Sequence, residues 1–259
     1  MTTKELDGYF RKFLDIDGFA ACDDSLNGIQ ADNDGAAVKK IAFAVDASLE
    51  SFKRAKAAGA GLLFVHHGLF WGKPLAVRGG HRERLAFLLE HNIALYACHL
   101  PLDAAPLVGN NAVIASLLGI GHPLPFGDYH GKKIGYKGTL VKPLTVNEAV
   151  KKIMFMDREP IAVYAFGDEL CETVAVISGG GAPEVVQAID EGVSLYVTGE
   201  ASHSFYNTAL EAKINVIAGG HYNTEVFGVR AVMERVKAEL GLETETKMET
   251  EFLDLPTGL

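Results

Sequence analysis

An α/β protein built as two similar domains is what the sequence predicts, and three observations carry that reading. Strand-like runs, apolar on both faces, alternate with helical patterns: Lys40-Ile41-Ala42-Phe43-Ala44-Val45-Asp46, Gly61-Leu62-Leu63-Phe64-Val65 and Ile93-Ala94-Leu95-Tyr96-Ala97-Cys98 are the clearest. The chain has 28 Gly against 9 Pro, which suits many tight strand–helix turns. Its 259 residues, 48% hydrophobic and 22% charged, suffice for two cores. The expectation is mostly parallel or mixed sheets flanked by helices. Residues 1–127 would form one domain and 128–259 the other, with the last helix and strand free to pack back on the first.

Each element has a local reason. Thr2 and Glu5 make a capping box, and Leu6, Tyr9, Phe10, Phe13 and Leu14 then share one helical face. After the strand 40–46, Ser48 caps an Ala/Lys-rich helix ending near Gly59. The strand Gly61–Val65 ends at His66-His67-Gly68. A helix over Arg82–Glu90, a strand over Ile93–Cys98 and a helix over Asn111–Leu118 follow. Gly119 to Gly138 holds six Gly and two Pro and reads as a domain boundary or a long surface connection.

The second half repeats the style, with strands near Thr139–Val141, Ile161–Phe166, Val174–Ile177, Leu195–Val197 and Val216–Ala218. Pro183 stands where a first-turn proline is welcome. His221 to Leu240 reads as the last long helix, and Lys247–Leu253 as a terminal strand.

Composition narrows the function. A net charge of −9 argues against a nucleic-acid surface, where a basic stripe is expected. An anionic small-molecule substrate stays compatible, because bound divalent cations reverse the local sign. Cys22, Cys98 and Cys171 are scattered and odd in number, so neither a disulfide framework nor a paired-cysteine zinc site is expected. The N-terminus is charged and amphipathic, unlike a secretory signal, and no apolar run approaches the ~20 residues of a membrane span. A cytoplasmic protein is the expectation.

The chemistry-bearing residues cluster at strand ends, the edge where open α/β sheets form sites. Inside a strand, adjacent side chains point to opposite faces. At a frayed end, however, His66 and His67 can both face one crevice. His99-Leu100-Pro101-Leu102-Asp103 follows the third strand in the same way. In His221-Tyr222-Asn223-Thr224-Glu225, the His and Glu are four apart and share a helix face. Imidazole with carboxylate suits zinc, iron, manganese or nickel.

Each part has a plainer reading that stays open. Asp103 also fits a turn before Pro106, and His221 with Glu225 fits a solvated helix start. Pro101 forbids a simple helical pairing of His99 with Asp103, so His99 reads as orienting a ligand. His81, His91, His122 and His130 read as polar residues at caps or loops, and Cys98 as strand core. Glu200 and His203, in Thr198-Gly199-Glu200-Ala201-Ser202-His203, could share a helix face as general acid and base, or Glu200 could be a capping carboxylate. Ser178-Gly179-Gly180-Gly181 lacks the lysine of a P-loop and reads as a tight turn.

Together, Phe64-Val65-His66-His67-Gly68, His99 to Asp103, Thr198 to His203 and His221 to Glu225 resemble the Nif-three-like family, often labelled GTP cyclohydrolase I type 2 homologs. Asp24-Ser25-Leu26-Asn27-Gly28-Ile29-Gln30 and Val45-Asp46 match its N-terminal pattern. The resemblance runs through nearly the whole chain, without the long central insertion of some members. Gly68 stands where many members have Pro. The resemblance implies a two-domain fold with a dinuclear metal centre between the domains, and toroidal homohexamers with those sites facing an internal cavity. Carried over by position, His66, His67, Asp103, His221 and Glu225 would hold two divalent ions, with Glu225 bridging. The function implied is a metal-dependent hydrolase acting on a nucleotide or related ring. A non-catalytic metal-binding or metal-delivery adaptor is the alternative.

Overall fold

The structure, a computed structural model, describes residues 1–154, 156, 158–241 and 247–257. Two compact units make up the chain: Met1–Leu102 with Val229–Leu255, and Asp103–Gly228.

The first unit contains α1 (Thr3–Phe10), α2 (Ile16–Phe19), β1 (Gly28–Ala31), β2 (Lys40–Asp46), α3 (Leu49–Ala57), β3 (Leu62–His67), α4 (Gly79–Glu90), β4 (Ala94–Ala97) and, late in the chain, β11 (Glu249–Phe252). Among the described residues its sheet has the order β1-β4-β3-β2-β11, all parallel except β1 against β4. Helix α1 begins at the expected capping box, in which Thr2 accepts from the Glu5 amide and Glu5 accepts from the Thr2 amide. It lays Phe10 on one sheet face, 5.0 Å from the Phe64 ring and 4.8 Å from Tyr96. The opposite face packs Leu63, Val65 and Leu95 against Phe52 and Leu88 of α3 and α4. Each such side chain contributes roughly 1.5–3 kcal/mol by leaving water. Burial on both faces is why these strands read as unbroken apolar runs.

In the second unit, α5 (Leu100–Ala104) spans the boundary and α6 (Asn110–Leu118) follows. Then come β5 (Leu124–Tyr129), β6 (Lys132–Thr145), α7 (Val146–Ile153), β7 (Ala162–Ala165), β8 (Leu170–Ile177), α8 (Val185–Asp190), β9 (Leu195–Thr198), α9 (His203–Ala212), β10 (Asn215–Ala218) and α10 (His221–Val236), whose residues from Val229 on belong to the first unit. The sheet order is β5-β6-β8-β9-β10-β7 among the described residues. Strands β8, β9 and β10 are parallel, and the other pairings are antiparallel. Pro183 sits in the 3₁₀ turn Ala182–Glu184 that leads into α8.

Two features differ from the sequence expectation. Gly119 to Gly138 is no open connection: most of it is the β5–β6 hairpin. Tyr129 pairs with Lys132 across a two-residue turn in which His130 and Gly131 have φ of 50° and 84°. Both values are positive, as a hairpin turn that follows the strand twist requires. The expected division at 127/128 also differs from the units, since 103–127 belong to the second. The cause is packing: Ile114 and Leu118 of α6 share a core with Val146 and Ile153 of α7 and with Val174, Val176, Leu195 and Val197. Among the described residues, no helix is long and apolar enough to cross a membrane.

Candidate metal centre

In the first unit, β3 runs on through the histidine pair instead of stopping at Val65, and His67 stands in register with Asp46 of β2. Adjacent Cβ atoms diverge in a strand, yet the two rings lie with centroids 4.6 Å apart. Each imidazole is anchored to a different neighbour. Fully buried His66 donates from Nδ1 to the backbone carbonyl of Cys98 at 2.9 Å. His67 donates from Nδ1 to Asp46 Oδ1 at 2.8 Å. A carbonyl oxygen can only accept, so His66 donates from Nδ1, and in the neutral ring the lone pair is on Nε2.

His99 completes a trio. It donates from Nδ1 to Asp23 Oδ1 at 2.9 Å, and its backbone amide donates to Asn27 Oδ1 at 2.7 Å. His66, His67 and His99 each offer a ligand atom within 4.8 Å of the others. Asp23 also accepts from Asn27 Nδ2 and from the amides of Ser25 and Leu100, at 2.8–3.0 Å. Burial pushes the Asp23 carboxyl up, but the bonds from His99, Asn27 and Ser25 prevail and hold it below the usual carboxylate range. His99, read from sequence as orienting a ligand, is itself held by Asp23, a residue that sequence reasoning missed. The run Asp23-Asp24-Ser25-Leu26-Asn27-Gly28, dense in turn formers, was the available signal.

Gly68 leaves room for Gln30, whose amide atoms would lie 2.3–2.4 Å from a Cβ at position 68. Gln30 Oε1 accepts from the Leu69 amide at 2.6 Å and ties β1 to the segment after the histidines. Trp71, also unanticipated, donates from its indole to the Gly68 carbonyl at 3.0 Å and stands 4.9 Å from the His99 ring.

The second unit builds an acidic counterpart. Asp103 and Glu225, 6% and 3% exposed, bring carboxylate oxygens within 4.8 Å of each other. Asp103 Oδ1 accepts from Asn110 Nδ2 at 2.8 Å and from Ser178 Oγ at 2.9 Å. Asn110 in turn accepts from the Gly228 amide, and Asn111 accepts from the Ser178 amide. The Gly179 to Gly181 turn is part of this arrangement. Gly179 has φ +61°, donates to Thr224 Oγ1 at 3.0 Å, and a Cβ there would fall 2.1 Å from Glu225 Oε1.

His221 opens α10 between two carboxylates. Nδ1 is 2.6 Å from Glu200 Oε1 and Nε2 is 3.1 Å from Glu225 Oε1. Burial lowers its pKa, but Glu225 and Glu200 outweigh that and raise it to about 9. Without a bound cation the ring is therefore an imidazolium at neutral pH, donating from both nitrogens. The solvated-helix-start reading does not hold for Glu225, which is buried.

Glu200 and His203 do not pair as the sequence suggested. Glu200 precedes α9 and binds His221, whereas His203 is exposed in the first turn of α9. Elsewhere, His81 packs in α4 against Phe70, His91 caps α4, and His130 sits in the hairpin turn.

Comparison with known proteins assigns this arrangement to a family. The model of Duf34/NIF3 (NGG1p interacting factor 3) matches residues 1–257. The chain belongs to the Duf34/NIF3 family. Among its relatives is the GTP cyclohydrolase 1 type 2 homolog of Archaeoglobus fulgidus, 45% identical over the whole of both chains. The homolog of Treponema pallidum is 40% identical, again covering both chains completely. Among solved structures, TTHA1606 from Thermus thermophilus matches with a TM-score of 0.88 at 37% identity, with all of both chains covered. The Duf34/NIF3 chain thus has imidazoles fixed through Nδ1 in one unit and buried carboxyl groups in the other. That donor set fits divalent zinc, iron, manganese or nickel.

Proposed function

We propose that this chain is a divalent-metal-dependent hydrolase, with His66, His67, Asp103, His221 and Glu225 holding two cations and Glu225 bridging them. One observation carries the reading. Asp103 and Glu225 are almost fully buried, with oxygens within 4.8 Å. Two carboxyl groups held so close in a low dielectric are a donor pair suited to a cation, beside the His221 ring that stands 3.1 Å from Glu225. The Nδ1 anchors on His66 and His67 support it, because such bonds fix the tautomer that ligates through Nε2.

Cations held there would supply Lewis acidity and make water a competent nucleophile near neutral pH. The chain's residues do the rest. Asp46 and the Cys98 carbonyl hold the two rings in place, and Ser178 and Asn110 orient Asp103. Glu200 keeps the Nδ1 proton of His221 and turns Nε2 toward Glu225. Exposed Glu200, held against His221, is the proposed acceptor of a proton from water, and exposed His203 is the second candidate. The substrate class proposed, a nucleotide or related ring, follows the name carried by the relatives. A ring-shaped homohexamer in the cytoplasm belongs to the same reading and is checked by sedimentation of the purified protein.

The decisive experiment is elemental analysis of protein purified without added metal, alongside His66→Ala and Glu225→Ala, followed by turnover assays with GTP and other nucleotides. Co-purified metal lost in both variants supports the site; unchanged metal content refutes it. Metal retained with no turnover on any nucleotide would favour the adaptor role over the hydrolase.

A further inference from the structure

We propose that Trp71 is the platform on which a planar heteroaromatic ring stacks beside the histidine trio. The inference rests on the reading of that trio as part of a metal-dependent site, and deepens it by assigning the residue that selects the substrate's ring.

Trp71 is tied down at its indole N–H and backbone but stays partly open to solvent. Its indole N–H donates to the Gly68 carbonyl, its backbone bridges to Ser25, and the Leu26 amide donates to the Phe70 carbonyl at 3.0 Å. The ring still leaves 37% of the residue exposed, and every residue from Trp71 to Gly80 is exposed. With its one polar atom satisfied internally, the uncovered part of the indole is an apolar surface that water solvates poorly. It is no stray surface aromatic, because its centroid lies 4.9 Å from the His99 ring and 6.0 Å from the His67 ring. Those are the ring separations of ordinary aromatic pairs. A flat ring stacked on the indole at the usual centroid spacing of about 4.5–5 Å would lie within roughly 10 Å of the His99 ring. Sequence tolerance of stacking makes the surface suited to purines and similar heterocycles generally.

The chain contains one tryptophan, so its fluorescence reports on this residue alone. Zinc-loaded full-length protein is titrated with guanosine monophosphate and, separately, with ribose 5-phosphate; calorimetry gives the Kd for wild type, Trp71→Phe and Trp71→Ala. The expected result is a saturable change in emission with the nucleotide and none with the ring-free sugar phosphate. Trp71→Ala should weaken nucleotide binding about ten-fold or more, and Trp71→Phe much less, with zinc content unchanged in both. Nucleotide binding without a change in emission, or with equal Kd in Trp71→Ala, overturns the proposal and leaves the metal reading standing. So does a failure of zinc-loaded protein to bind guanosine monophosphate at all. Loss of zinc from the wild-type protein would instead sink the metal reading itself.

Discussion

Asp46 and His67 face each other across the parallel β2–β3 pair, and the Asp46 carboxylate accepts the Nδ1 proton of His67 at 2.8 Å. A residue that closes one strand thus sets the tautomer and tilt of a residue that closes the next. In Asp46→Asn, the amide can present a donor to Nδ1 and favour the other tautomer. Metal affinity should fall by about 10–100-fold, the usual cost of losing such a support. Competition against a chromogenic chelator measures this, and unchanged affinity would count against His67 as a ligand through Nε2.

Gly179 is expected to be intolerant of a side chain for two separable reasons. Its φ is +61°, and a Cβ would fall 2.1 Å from Glu225 Oε1. Gly192 has a similar φ of +66° but open space around it. Gly192→Ala should show the backbone cost alone, about 1 kcal/mol, while Gly179→Ala should lose roughly 1–3 kcal/mol and metal content as well. Urea unfolding of both variants gives the comparison.

His221 predicts a pH dependence for the metal-free protein. Its pKa is raised from 6.5 to about 9 by Glu225 and Glu200 against the opposing effect of burial. The stability from this imidazolium is fully present below pH 6.5 and is lost as pH rises through about 9. The melting temperature of chelator-treated protein should decline across that window, and the decline should shrink in His221→Gln. A cation bound at Nε2 replaces that proton, so metal binding at neutral pH should release it. Calorimetry in buffers of different ionisation enthalpy counts the protons.

The donors to Asp103 are open to a direct test. Ser178→Ala removes one bond to Oδ1, and Asn110→Ala removes the other together with the acceptor of the Gly228 amide. Buried groups left without partners cost about 1–3 kcal/mol each, so Asn110→Ala should be the more destabilised by thermal melting. Equal effects would mean that the Gly228 bond contributes nothing.

The sequence by itself determined most of the elements and named the candidate ligands. Thr2 with Glu5 and Ser48 before Leu49 are local capping signals, and they start α1 and α3 where expected. The unbroken apolar runs became β2, β3 and β4, because a sheet covered on both faces needs apolar residues at every position. His66 and His67 stood out as adjacent imidazoles at a strand end, and Asp103, His221 and Glu225 joined them as ligand-type residues in segments that resemble the family. Tertiary structure decided what a local pattern cannot carry. The turn at His130-Gly131 made a hairpin of a segment whose glycines looked like a linker, and α6 joined the second unit through Ile114 and Leu118. Asp23 is 76 residues from His99, the ring it orients, and Glu200 found His221 in place of its near neighbour His203. Period and spacing report which face a residue occupies; long-range hydrogen bonds arise only once the strands are in register, and they decide that His66, His67 and His99 each turn Nδ1 to a protein acceptor.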